Sequence, residues 1–171
     1  MKIIISSLED VPHAIARHRP SHMITLLDPD SMIPTPRGIH PERHLKVGVN
    51  DIAEAAEGLV HPTAEVVEDI LRFGRGWEPV DPMLVHCWAG ISRSSATAFI
   101  LACERNPETP ETLIAEQLRK ASRAATPNAL MVRLADDMLG RQGRMVDAVR
   151  GIGIGDWLQA NPPYGLAVRF K

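Results

Sequence analysis

The sequence predicts an α/β fold: a central, mainly parallel sheet of four to five strands, helices on both faces, and a helical C-terminal half. Three observations point to it. Short apolar runs alternate with helix-period segments through roughly the first hundred residues. Met83-Leu84-Val85 is apolar without alternation, as suits a strand buried on both faces. After it, Thr109-Pro110-Glu111 and Thr126-Pro127 open one helix after another.

Ile3 to Ile5 reads as a short buried strand. Leu8 to Arg17 reads as a helix with Val11, Ala14 and Ile15 on one face, closed by Pro20. His22 to Leu27 is a second strand. A loop rich in Asp and Pro follows, from Asp28-Pro29-Asp30 through Pro34, Pro36, Gly38 and Pro41. Leu45, Val47 and Val49 alternate with other residues as a third strand does. Pro62 opens a helix that carries Ala64, Val67, Ile70 and Leu71 to Phe73, where Gly74, Gly76 and Pro79 break the pattern. The segment from Ser94 to Glu104 is strongly helical and stops before Pro107. Helices are expected to about Ala124, from Thr126 to about Leu139 with Gly140 as the stop, and from Gly143 to Arg150. Leu166 to Phe170 is a candidate terminal strand.

The 171 residues amount to one ordinary domain, 1–171. The net charge of −2 argues against a broad nucleic-acid surface, although it leaves room for one basic pocket. The apolar run at Ile3 to Ile5 ends at Glu9 and Asp10, short of the roughly 7–15 residues of a secretory core. No stretch approaches the roughly 18 apolar residues of a membrane span. Cys87 and Cys103 cannot build a disulfide framework, so a reducing cytoplasm and a free thiol are expected.

The chemistry concentrates in His86-Cys87-Trp88-Ala89-Gly90-Ile91-Ser92-Arg93-Ser94, between a buried strand and a helix. A cysteine and an arginine six apart mean little alone. The strand–loop–helix setting gives them weight, because loop amides converge at the helix N-terminus and the helix dipole favours an anion there. Gly90 relieves the tight turn. Arg93 offers a planar fork that matches two phosphate oxygens. A thiol of pKa near ~8.5 drops to roughly 3.5–7.5 beside a helix N-terminus and a cation, which makes Cys87 a candidate nucleophile. Ser94 can donate to its sulfur. The plain alternative is a buried small residue at a strand end and a solvated helix charge.

This loop resembles the signature of the protein tyrosine phosphatase superfamily, His-Cys-x5-Arg-Ser, and its Ala89-Gly90-Ile91-Ser92-Arg93-Ser94 stretch is closest to the dual-specificity-like branch. The resemblance runs from Met1 to about Leu139. It implies metal-free and cofactor-free hydrolysis of phosphate monoesters, with phosphorylated proteins or small phosphomonoesters as substrates; the charge and the lack of an apolar span point away from nucleic acid and membrane as partners. It implies phosphate binding by Trp88 to Arg93, a supporting His86 that tunes Cys87, and a brace from a later helix at Asn128.

An aspartate supplies the leaving-group proton in that superfamily. Asp81 precedes its strand and Asp69 falls within a helix, whereas Asp28 and Asp51 follow strands and reach the ligand edge of an open sheet. The family's acid loop follows the strand before the helix that leads to the signature strand, which selects Asp51. Asp28, in Asp28-Pro29-Asp30, reads as a turn former. Cys103 reads as core, roughly 15 Å of helix beyond Arg93. His40 and His44, flanking Pro41, make a poor metal pair, and Gly151-x-Gly153-x-Gly155 follows no strand. Two further functions compete with a phosphatase: a phosphoprotein-binding module without turnover, and a rhodanese-like sulfurtransferase.

Overall fold

A computed structural model describes residues 1–170. Its element order is β1 (Lys2–Ser6), α1 (Val11–His18), β2 (His22–Leu27), β3 (His44–Gly48), α2 (Ala64–Gly76), β4 (Met83–His86), α3 (Arg93–Arg105), α4 (Glu111–Ala121), α5 (Ala129–Met138), α6 (Arg144–Ile152) and β5 (Tyr164–Ala167). Short 3-10 turns at Pro29–Ser31 and Pro41–Arg43 punctuate the long loop before β3. The five strands lie in the order β3-β2-β4-β1-β5. β1 to β4 are mutually parallel, and β5 runs antiparallel along β1 with Ile3 opposite Leu166. The expected mainly parallel α/β sheet is therefore present.

Alternation along the strands divides the core. Ile3, Ile5, Ile24, Leu26, Met83 and Val85 face the larger cluster, into which α2 to α6 pack. Ile4, Met23 and Leu84 face a smaller one, completed by Val11 and Ala14 of α1 and by Ile39. Central α3 is buried from Arg93 to Cys103, the behaviour of a helix enclosed on all sides. Within it Thr97 satisfies its hydroxyl on the helix backbone, donating to the Arg93 carbonyl at 2.9 Å.

Several boundaries differ from expectation for local reasons. α2 starts one residue after Thr63, whose hydroxyl accepts from the Val66 amide, so Pro62 lies before the cap. It runs on through Gly74, because at that position an added Cβ would collide with Leu101 of α3 and the missing side chain lets the two helices touch. α5 starts at Ala129, capped by the Asn128 side chain on the Met131 amide at 3.0 Å, and not at Thr126-Pro127. Pro110 occupies the cap position of α4 with no side-chain cap bond, so Thr109 does not cap it. β5 begins at Tyr164, ahead of the expected Leu166.

Parallel pairing places the C-terminal ends of β1, β2, β3 and β4 along one edge. Ser6 closes β1, and Asp28, Asp51 and Cys87 follow the ends of β2, β3 and β4, which is where an open α/β sheet binds its ligand.

Candidate active site

β4 ends at His86 and α3 begins at Arg93, so Cys87 to Ser92 form the connecting loop. Its carbonyls are held from outside. Trp88 O accepts from the Leu8 amide at 3.1 Å and Ile91 O from the Thr126 amide at 2.9 Å. Gly90 O accepts from the Tyr164 hydroxyl at 2.9 Å, and Asn161 reaches both Ala89 O and Gly90 O at 3.2 and 3.3 Å. Ser92 O accepts from the Asn128 amide at 3.3 Å. Among the described residues, none of the amides from Trp88 to Ser92 donates to a group of the chain. With the carbonyls turned out to the scaffold, these donors converge with the α3 N-terminus into an anion-binding nest. Gly90 has φ +71°, and a Cβ there would come within 2.8 Å of the Ser6 backbone, so the turn admits only glycine.

Cys87 is 3% exposed, and its Sγ lies 3.1 Å from Ser94 Oγ. Arg93 is equally buried. Its Nη1 donates to Asp28 Oδ1 at 2.9 Å and to the Val49 carbonyl at 2.7 Å. Its Nε is buried and has no partner among the described residues. A buried guanidinium donor left open is costly unless a ligand completes it. One edge of Arg93 is thus fixed by scaffold acceptors, and the Nε/Nη2 edge keeps the two-pronged geometry that fits an oxyanion.

Asp51 Oδ1 accepts from Ser92 Oγ at 2.7 Å and from Asn128 Nδ2 at 2.9 Å. Asn128 Oδ1 is spent on the helix cap, so its amide group is left to donate to Asp51 and to the Ile52 carbonyl at 3.1 Å. One side chain thus both caps α5 and ties the Asp51 segment to it. Asp28 departs from its expected role. Its carbonyl does start the 3-10 turn, accepting from the Ser31 amide. Its carboxylate, however, bridges Arg93 and the Trp88 indole N–H, the latter at 3.2 Å. β2 lies beside β4 in the sheet, so the residue after β2 inevitably borders the loop.

A cavity of about 450 Å³ is lined by Asp51, Cys87, Trp88, Arg93, Asn128 and Trp157. Trp88 and Trp157 are 46% and 58% exposed. The Trp157 indole N–H donates to Thr126 Oγ1 at 2.9 Å. Sequence reasoning missed Asn161, Tyr164 and Trp157, because their segment carries no motif and meets the loop only through the tertiary fold. Burial pushes the Tyr164 hydroxyl's pKa up, so it stays a donor to Gly90 O.

His86 belongs to a buried chain. Thr25 Oγ1 lies 2.8 Å from His86 Nε2 and 2.7 Å from His44 Nε2, and Thr35 Oγ1 lies 2.9 Å from His44 Nδ1. His86 Nδ1 faces the Cys87 carbonyl at 3.4 Å, which can only accept. Burial lowers each ring to about 4, so both are neutral at ordinary pH. With neutral rings one direction follows throughout: Thr35 donates to His44, His44 to Thr25, Thr25 to His86, and His86 to Cys87 O. Both nitrogens of His44 are engaged, so it offers no metal-ligand pair with His40. Unfolded histidines titrate near ~6.5, so between that pH and about 4 the unfolded chain binds more protons. Stability from these two rings is whole above ~6.5 and is lost as pH falls toward 4. A melting-temperature series across that window should fall steeply, and His44→Asn should flatten it. Cys103 is buried and free, its thiol pushed up mainly by desolvation, as a core residue requires.

A thiol and an arginine beside a loop of unpaired amides, at the C-terminal edge of a parallel sheet, define the class: an α/β fold with a strand–loop–helix site of the kind that suits an anion. No protein-family model matches the chain, and no curated protein matches it. Among solved structures it is similar to DUSP15, with a TM-score of 0.60 and 18% identity over 86% of this chain and 88% of that one. It is also similar to the human tyrosine phosphatase-like serine/threonine/tyrosine-interacting protein, at 0.60 and 19% over 80% and 87%. The PTP-2 phosphatase of Cydia pomonella gives 0.58 and 23% over 78% and 83%. The chain shares the fold of these solved structures. No helix among the described residues is long and apolar enough to cross a membrane.

Proposed function

We propose that this chain is a cytoplasmic, single-domain cysteine phosphatase that hydrolyses phosphate monoesters, of the phosphotyrosine type in proteins. The observation that carries the reading is the loop from Cys87 to Ser92: carbonyls anchored outward, amides free, and the open edge of Arg93 in the same cavity as the thiol.

In this reading the loop amides and the Nε/Nη2 edge of Arg93 hold the three non-bridging phosphate oxygens. The Cys87 thiolate attacks phosphorus, the S–P bond forms, and the P–O bond to the alcohol breaks. Asp51 gives its proton to the departing oxygen. Its carboxylate then takes a proton from water, whose oxygen attacks phosphorus as the S–P bond breaks. Ser94, at 3.1 Å, donates to the departing sulfur and eases its release as thiolate. Asn128 positions Asp51. Asp28 is committed to Arg93 and Trp88 and serves as a positioning residue.

The acid assignment has a direct test in the pH dependence of kcat/KM on p-nitrophenyl phosphate. Asp51→Asn should lose about a hundredfold, within the usual range for a general acid, and its alkaline limb should vanish. Asp28→Asn should keep that limb. The opposite pattern would transfer the acid role to Asp28.

A further inference from the structure

Beside the catalytic cavity runs a larger groove of about 770 Å³, and Ala53 and Ala129 line both. Its walls are apolar side chains of three segments: Pro62 before α2, Leu130 and Leu134 of α5, and Val146 and Val149 of α6. Leu134, Val146 and Val149 are half-buried, so their side chains stay in reach of a partner. Two exposed arginines, Arg133 and Arg150, also line it, against one carboxylate, Glu54. Arg133 makes no ion pair among the described residues. Arg150 has only an exposed contact of 3.8 Å with Asp147, of the kind that contributes little.

We infer that this groove is a docking subsite for the polypeptide flanking the phosphorylated residue, and that it takes one apolar and one acidic side chain of the substrate. The inference rests on the phosphatase reading above. A phosphoresidue with its phosphate at Cys87 must pass its own chain out over the rim, and the rim at Ala53 and Ala129 opens into the groove. Extended chain advances about 3.3–3.6 Å per residue, so the near neighbours of the phosphoresidue fall within it. The valines and leucines receive an apolar side chain, and the surplus of arginine over carboxylate favours an acidic one. His61 and Thr63 add polar wall that suits a peptide and not a hydrocarbon chain.

The test uses the wild type, Val149→Glu and Arg133→Glu on p-nitrophenyl phosphate and on three phosphotyrosine peptides. Their flanking positions are all alanine, or carry a leucine, or carry an aspartate. The wild type should favour the leucine and aspartate peptides over the alanine one by about tenfold in kcat/KM, the scale of one apolar contact in a pocket. Val149→Glu should erase the leucine preference and Arg133→Glu should reverse the aspartate one, with p-nitrophenyl phosphate turnover within about twofold of wild type. Equal rates on all peptides in the wild type would overturn the inference. So would a parallel loss on p-nitrophenyl phosphate, or a preference for a long-chain alkyl phosphate that Val149→Glu removes. If the wild type turns over nothing, the phosphatase reading has failed, and the groove is judged by binding of the labelled peptides. Retained dependence on Val149 and Arg133 sustains it, and indifference to them ends it.

Discussion

Cys87→Ser should abolish turnover of p-nitrophenyl phosphate, by about 10⁴-fold or more, and leave phosphate binding in place. Each tenfold in rate is about 1.36 kcal/mol of barrier. A hydroxyl at this position is a far weaker nucleophile than a thiolate, so the covalent route closes. The anion site persists, because it is made of backbone amides and Arg93. The replacement is nearly isosteric, and Ser94 remains within hydrogen-bond reach of position 87. The variant should therefore still bind inorganic phosphate with wild-type affinity, read as protection against thermal unfolding. Loss of phosphate binding together with activity would mean that Cys87 holds the loop together and is not its nucleophile.

Arg93→Lys should be almost as damaging, with kcat/KM down about 10³-fold although the formal charge is kept. Arg93 makes two scaffold bonds on one edge and offers a second edge to the ligand. An ammonium is a point charge and cannot do both. A lysine drawn to Asp28 and the Val49 carbonyl gives up the phosphate, and a lysine that reaches the phosphate leaves those acceptors unpaired. Removing one preorganised donor to a developing anion typically costs about 10²–10³-fold. Here the two-pronged geometry goes with it. A lysine variant within tenfold of wild type would show that charge alone is used, and the paired-edge account would fail.

The fold was largely legible in the sequence because strand and helix periods survive in a chain of short elements. Met83 to Val85 reads as a central strand, and β4 lies between β2 and β1. The loop was legible for a different reason. A thiol, a glycine and an arginine at a strand–helix junction are local requirements of anion binding, and local requirements leave local patterns. What could not be read is what depends on strand order. Asp28 looked like a turn former because Asp28-Pro29-Asp30 is one, and only the adjacency of β2 and β4 turns its carboxylate to Arg93. The anchoring of Gly90 by Tyr164 is more distant still, spanning 74 residues, and depends on β5 closing the sheet beside β1. The threonine–histidine chain under Cys87 likewise comes from three neighbouring strands and their register.

The measurement that tests the central proposal most directly is a rapid-quench reaction of the wild-type protein with a phosphotyrosine peptide radiolabelled in its phosphate, followed by peptide mapping. The account predicts label on the peptide that carries Cys87, appearing before free phosphate and absent in Cys87→Ser. Release of phosphate with no label ever on Cys87 would contradict it.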